Sequence, residues 1–343
     1  MAKDMQEMIK LLNKKYGQNS VMLGVEKAEQ DEKIEKFIPT GVLQLDVDLG
    51  GGIPIGRYTE ISGGFSSTKT TLSMHIVSEA QKMGINCALL DIEGTSGDEN
   101  YLISCGVNPK ELLYMRPSSL EEAVNLTNDL QKEGVIKLCI YDSIAASLAS
   151  EEELKIEIGE SIRMGIPQQQ VQSMLRRFQM ANNRYFRTGE LPFTLIGINQ
   201  LREKVGSYGN PEYTPGGRGK DFFATCNIRL KTGDYIKEGN KFVGQVVKYK
   251  ISKNKVYKRM GTGEIDFFFA PNNAGIPPLC YDVIKDVVIV ACQFNLIQRG
   301  GSWYTYKDIK TQGLDAMLDT LNQKPEYLKQ IREEVFEIVK KTK

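Results

Sequence analysis

The sequence has one histidine in 343 residues, His75, and that histidine sits in a stretch that reads as a helix. A lone histidine there reads as a packed structural residue, not a catalytic one. Six cysteines (Cys87, Cys105, Cys139, Cys226, Cys280 and Cys292) lie far apart, and none makes a C-x-x-C pair. That spacing argues against zinc. Several lie in apolar, strand-like runs, as small buried hydrophobes in a reducing compartment do. There is no long uncharged apolar run and no secretory signal at Met1-Ala2-Lys3-Asp4. The expectation is a soluble, cytoplasmic protein. Charge of either sign is not in excess: 44 Lys+Arg face 43 Asp+Glu, a formal net charge of +1. Any nucleic-acid site must therefore be a local patch. No internal repeat or low-complexity tract is present.

What is present is a phosphate-loop pattern with one letter changed. It runs Ser62, Gly63, Gly64, Phe65, Ser66, Ser67, Thr68, Lys69, Thr70, Thr71. The motif asks for Gly, four residues, Gly, Lys, then Ser or Thr. Gly63, Lys69 and Thr70 fit, and Thr68 replaces the second glycine. The flanks suit such a loop, with a short strand at Tyr58–Ile61 and a helix from about Thr71 to Met83. Small residues let backbone N–H groups curl around phosphate oxygens, and the helix N-terminus favours the same anion. Lys69 is placed to reach the β and γ phosphates, and the Thr70 hydroxyl to ligate Mg2+. If Thr68 must take a positive φ, a β-branched residue there costs about 1–2 kcal/mol. Applied wholly to binding, that is a roughly 5- to 30-fold loss of affinity.

From Thr40 onward strands alternate with helices and then cluster late, which predicts an α/β fold with a mostly parallel sheet extended by hairpin strands. Further strands are expected at Cys87–Ile92, Lys137–Tyr141, Phe193–Ile198, Asn227–Lys231, Val246–Ser252 and Ile265–Ala270. Helices are expected at Leu120–Glu133 and Gln168–Phe186. Ser119 to Glu122 and Ser150 to Glu153 resemble capping boxes, so Glu151–Glu153 reads as a helix start and not a metal site. Near the N-terminus, Met5, Met8, Ile9 and Leu12 make one apolar helical stripe, followed by a charged, linker-like stretch from Glu26 to Lys36. A lone short helix is marginal in water, so it should pack on something, another subunit included. Beyond Pro271, a strand near Trp303 and helices at Gly313–Leu321 and Pro325–Lys341 read as a small C-terminal α/β domain. The expected division is an arm over 1–35, a core over 36–271 and a small domain over 272–343.

Two apolar strands end in acids. Asp142 closes one, as a magnesium-water partner opposite a phosphate loop would. Asp91 and Glu93 close the other, and Glu93 is a candidate general base for the attacking water. Leu201 to Phe222 lacks any strand or helix period and reads as a structureless insert. Its glycines (Gly206, Gly209, Gly216, Gly217, Gly219) and its cations (Arg202, Lys204, Arg218, Lys220) suit a strand of phosphates. Lys248, Lys250, Lys253 and Lys255 put cations along a later strand, which alone is only a solvated sheet face.

In that order, these pieces resemble the bacterial RecA recombinase family over nearly the whole chain. The resemblance rests on Thr40 to Arg57 leading into the loop, Tyr141-Asp142-Ser143-Ile144, Gly197 to Arg202, Gly209 to Glu212, Gly216-Gly217, Lys253-Asn254-Lys255 and Trp303 to Tyr306. It implies a P-loop RecA-type ATPase core with an N-terminal helical arm and a small C-terminal domain. It implies ATP and Mg2+ at Gly63–Thr71 and Asp142, Tyr101 stacking on adenine near Asp98, and Glu93 as the catalytic carboxylate. Gln200 would sense the γ-phosphate, and Lys253 and Lys255 would reach a neighbour's ATP. Arg163, Met164 and Gly165 would form the first DNA loop, joined by Arg176, Arg202, Lys204, Gly216, Gly217 and Arg218 as DNA contacts. The implied partners are single-stranded DNA, duplex DNA and further copies of the chain in a helical filament.

The chain departs from the family at Thr68, at Gln169 in place of a DNA-contacting arginine, and at Arg218-Gly219-Lys220-Asp221, where an acid replaces an interface lysine. It closes on Lys340 to Lys343 without the family's acidic tail, as a phage or plasmid homologue would. The expected activity is ATP-dependent pairing and strand exchange. The alternatives are a DNA-coating filament protein that hydrolyses slowly or not at all, favoured by Thr68, and a RecA-fold ring helicase.

Overall fold

A computed structural model describes residues 4–27, 37–148, 166–203, 212–257 and 259–341. The strands, in chain order, are β1 (Phe37–Ile38), β2 (Ile53–Pro54), β3 (Tyr58–Gly63), β4 (Cys87–Asp91), β5 (Leu112–Met115), β6 (Leu138–Asp142), β7 (Thr194–Gln200), β8 (Arg202–Glu203), β9 (Glu212–Tyr213), β10 (Cys226–Glu238), β11 (Lys241–Asn254), β12 (Thr262–Phe268), β13 (Cys280–Tyr281), β14 (Gln298–Gly300), β15 (Trp303–Tyr306) and β16 (Ile309–Gln312). Nine of them form one sheet in the order β13-β12-β11-β10-β3-β7-β6-β4-β5. The six from β10 to β5 run parallel, and β11, β12 and β13 add antiparallel strands at one side.

β3, β4 and β6 are buried at every residue. Strands covered on both faces need continuous apolar runs, which is how these segments read. Neighbouring residues point to opposite faces. Leu89 and Ile140 join Ile61, Leu72, Ile76 and Val77 in a core under the helix Lys69–Lys82. Leu90 and Tyr141 join Ala123, Leu175 and Phe178 in a second core under the helices Leu120–Glu133 and Ile166–Thr188. These two layers hold the carboxyl ends of the parallel strands at one edge, the usual place for a ligand in an open α/β sheet.

A third core belongs to the C-terminal segment. Val287, Ile297, Met317, Ile331 and Val335 pack there with Leu43 and Val47. Those two come from the helix Leu43–Leu49, whose start is fixed from a distance: Asp286 accepts from the Leu43 and Gln44 amides over 2.5 and 3.2 Å. The helix Val283–Gln293 that carries Asp286 was not among the expected elements. Neither were Leu43–Leu49, the helix Glu99–Ser104 or the edge strand β5.

Two expectations need correction. Leu201 to Phe222 is not structureless throughout: β8 pairs with β9, and Gly217–Phe223 is a helix. Gly216 turns into that helix with φ 101°, a conformation costly for other residues. The helix then packs on Ile166–Thr188 and buries Lys220, which offsets its poor intrinsic propensity. The second correction is one of length, because β10 runs on from Lys231 to Glu238 and β11 starts at Lys241, well before Val246. The expected helix start at Ser150–Glu153 lies outside the described residues, and so does the expected Glu26–Lys36 linker beyond Lys27, while Glu26 and Lys27 are helical.

The N-terminal helix spans Met5–Tyr16, with Asp4 accepting from the Gln6 amide over 3.3 Å. None of its residues is buried, and Met5, Met8 and Leu11 are more than half exposed. Past the helix, Asn19 donates to the Arg187 carbonyl over 2.8 Å. No helix among the described residues is long and apolar enough to cross a membrane.

Candidate nucleotide site and DNA-facing loops

β3 delivers the loop Gly63–Thr68, and the helix Lys69–Lys82 carries the chain away. Gly63 is required by close approach: a Cβ there would lie 2.3 Å from Ser67 Oγ and 2.6 Å from the Leu230 carbonyl oxygen. Gly64 has open space beside it, and Phe65 is 87% exposed, so one side of the loop faces outward. Thr68 has φ 61° and ψ 22°, so the replaced glycine position is left-handed. The loop is braced from behind, where the Ser66 carbonyl accepts from Gln245 Nε2 at 3.0 Å and Thr232 Oγ1 at 3.3 Å. Ser67 Oγ donates to the Gly64 carbonyl over 2.8 Å.

Lys69 Nζ donates to the same Gly64 carbonyl over 2.7 Å. Partial burial pulls its pKa below the usual lysine range, opposed by the charges of Asp142 and Glu93. Thr70 Oγ1 and Ser96 Oγ both donate to Asp142 Oδ2, at 2.9 and 3.0 Å. Burial pushes the Asp142 carboxyl up to about 6, against the lowering effect of those two hydrogen bonds. A buried acid beside a hydroxyl, facing an ammonium, is a good place for a hard cation. Mg2+ is typically held by one or two carboxylates plus phosphate oxygens and water, and the Asp142 carboxylate with the Thr70 hydroxyl fits the protein's share of that set.

Glu93 sits just past β4, and its Oε1 accepts from Ser143 Oγ at 2.7 Å and Gln200 Nε2 at 2.8 Å. Asp91 takes no part in that contact. It is fully buried and accepts from the Gly94 and Ser96 amides at 2.8 Å each and from Tyr114 OH at 3.1 Å, which shapes the turn that presents Glu93. Tyr101 OH lies 3.2 Å from Thr71 Oγ1. Asp98 caps the helix that carries Tyr101, accepting from the Tyr101 amide over 2.8 Å. Lys69, Thr70, Asp142, Glu93 and Gln200 thus come from four different strand ends and meet at one edge.

Lys253 and Lys255 do not join them. Lys253 Nζ donates to the Asp221 carbonyl, and Lys255 Nζ to the Phe222 carbonyl over 2.9 Å. Lys253 pairs with Asn227, and Asn227 with Glu60, three residues short of Gly63.

On the other face of the sheet, a cleft of about 700 Å³ is lined by Glu60, Ser62, Arg202, Arg229, Gly216 and Gly217. Arg202 is exposed at its rim, and Arg176 is exposed on the helix Ile166–Thr188. Arg218 belongs to the helix Gly217–Phe223. Arg163, Met164, Gly165 and Lys204 lie outside the described residues.

Comparison with known proteins identifies the family. The family model of the RecA N-terminal domain matches residues 3–275, and that of the RecA C-terminal domain matches residues 285–340. The chain belongs to the RecA family. Its members act in recombination and DNA repair. The chain is 36% identical over 340 residues to Protein RecA of Thermus aquaticus, covering 98% of this chain and 94% of the relative. It is 34% identical over 332 residues to Protein RecA of Caldanaerobacter subterraneus, covering 96% and 91%. It is 36% identical over 330 residues to Protein RecA of Clostridium perfringens strain 13, covering 95% and 88%.

Sequence reasoning had missed two residues of this RecA-type site. Ser143 follows Asp142 directly, so its nearness was available from the strand end. Ser96 lies in a turn with no period, and nothing in the spacing marks it.

Proposed function

We propose that the chain is a DNA-dependent ATPase that polymerises on single-stranded DNA and pairs it with homologous duplex. The observation that carries this reading is the hydrogen bond from Gln200 to Glu93. Gln200 is the last residue of β7, and the DNA-facing segment starts at once beyond it. One bond therefore joins the carboxylate beside the phosphate loop to the segment that would touch DNA.

In this reading the amides of Gly63–Thr68 and the Lys69 ammonium hold the phosphates. Thr70 and Asp142 would hold Mg2+, which would neutralise charge on the phosphate oxygens. Glu93 orients the attacking water and takes its proton, and Ser143 holds the Glu93 carboxylate in place. Tyr101 stacks on adenine, with Asp98 fixing its helix. Lys253 and Lys255 serve the neighbouring subunit's site in trans, in keeping with their bonds to the Asp221 and Phe222 carbonyls and not to the groups around Lys69. The helix Met5–Tyr16 docks its uncovered apolar side on the next subunit. Arg163, Met164, Gly165, Arg176, Arg202, Lys204, Gly216, Gly217 and Arg218 hold DNA through its backbone, and base pairing supplies sequence recognition. The arm would span 1–35, the core 36–271 and the C-terminal domain 272–343, in a cytoplasmic protein.

The left-handed Thr68 favours a second reading, a filament that hydrolyses ATP slowly. Steady-state ATP turnover with and without single-stranded DNA tests both. Stimulation by DNA supports the ATPase; turnover that DNA does not change removes it.

A further inference from the structure

Thr68 takes a left-handed backbone conformation, φ 61° and ψ 22°, that β-branched residues avoid. Its hydroxyl has one partner from far along the chain: Tyr281 OH donates to Thr68 Oγ1 over 3.1 Å. Tyr281 is buried and cannot swing freely. Its ring packs against His75 at 5.3 Å and Phe267 at 5.2 Å between centroids. His75 is on the phosphate-loop helix itself, and its Nε2 is 2.9 Å from the Leu279 carbonyl oxygen. Two rungs, His75–Leu279 and Thr68–Tyr281, thus fasten β13 along the start of that helix.

We propose that Tyr281 is a positioning residue that holds Thr68 left-handed in the nucleotide-free protein. A loop with glycine at this position adopts that conformation without a steric penalty. A loop with threonine would relax out of it and would have to be driven back by the ligand. The Tyr281 hydroxyl shifts that penalty from nucleotide binding to folding, which is preorganisation in the ordinary sense. It explains how the chain carries Thr68 while Gly63, Lys69 and Thr70 keep their places. The inference rests on reading Gly63–Thr71 as an ATP site.

The test is a double-substitution cycle on the full chain, read by the affinity for a fluorescent ATP with Mg2+. Tyr281→Phe keeps the ring packing and removes only the hydroxyl. It should weaken binding about 3- to 10-fold, the worth of one net hydrogen bond. In a Thr68→Gly background the same change should alter affinity by less than about 2-fold, because glycine needs no holding. Amide hydrogen exchange at residues 66–69 of the nucleotide-free protein should speed up in Tyr281→Phe and not in the double variant. An equal loss in both backgrounds, or no loss in either, overturns the role of Tyr281 and leaves the ATP site standing. Failure of the unmodified protein to bind the probe overturns the ATP reading and this inference together.

Discussion

Gln200 Nε2 lies 2.8 Å from Glu93 Oε1, and the two residues stand 107 positions apart in the chain. With Ser143 Oγ bonded to the same oxygen, the carboxylate is engaged by two donors. Glu93→Gln should bind ATP with near-normal affinity while turnover falls about 10²- to 10⁴-fold, the range for a lost general base. Normal turnover in a single-turnover assay would take Glu93 out of this role.

Gln200→Ala should separate two quantities that Glu93→Gln does not. Basal ATP turnover should stay within about 3-fold of the parent, because Ser143 still holds Glu93, whereas stimulation by single-stranded DNA should vanish. Retained stimulation would mean that the signal from DNA travels by another route.

Lys253→Ala should lower ATP turnover by roughly 10³-fold in the assembled state, the lower end for a charge supplied in trans. In dilute subunits without DNA its turnover should match that of the parent. An equal loss under both conditions would contradict service to a neighbouring subunit.

Lys220 and Glu60 are both buried, with Lys220 Nζ 2.7 Å from Glu60 Oε2 and also bonded to Thr214 Oγ1 at 2.7 Å. Lys220→Ala leaves the Glu60 charge without its partner and should cost about 3–5 kcal/mol, seen as a lower urea midpoint. Replacing both residues with leucine should recover most of that loss. A single substitution that costs under about 1 kcal/mol would show that water reaches the pair.

Asp46 is expected to contribute to the pH dependence of stability. It is fully buried, its Oδ1 accepts from the Thr40 amide at 2.7 Å, and burial pushes its carboxyl up to about 8. The folded state therefore binds a proton that the unfolded state has released above about pH 4. Its contribution to stability is fully present below that pH and is lost as pH rises through about 8. Asp46→Asn should flatten the fall of melting temperature with pH between 5 and 8, and an unchanged slope would pass the effect to Asp286 and Asp142, whose carboxyls burial raises to about 6.

The parallel core was legible because its strands are buried on both faces and read as plain apolar runs. Leu120–Glu133 was legible to the residue because Ser119 caps it, accepting from the Glu122 amide. β10 and β11 were underestimated because past Lys231 they turn polar, and their strand character comes from pairing with each other. β5 escaped notice as a half-exposed edge strand held by β4. At the site, the strand-end acids were legible one by one. The contact between Glu93 and Gln200 was not, since it depends on β6 and β7 lying side by side in the sheet. Tyr281 had no signal at all, because its partner is 213 residues away.

β3 carries Glu60 and Gly63 on one straight strand, about 10 Å from end to end at some 3.3 Å per residue. One end begins the phosphate loop. Glu60, three residues back, holds Lys220 and, through it, Thr214, which lines the cleft with Gly216 and Gly217. A fully buried strand paired on both edges has no hinge. It works as a tie rod: a displacement at Gly63 would be carried along the strand to Glu60 and Lys220 and not taken up between them.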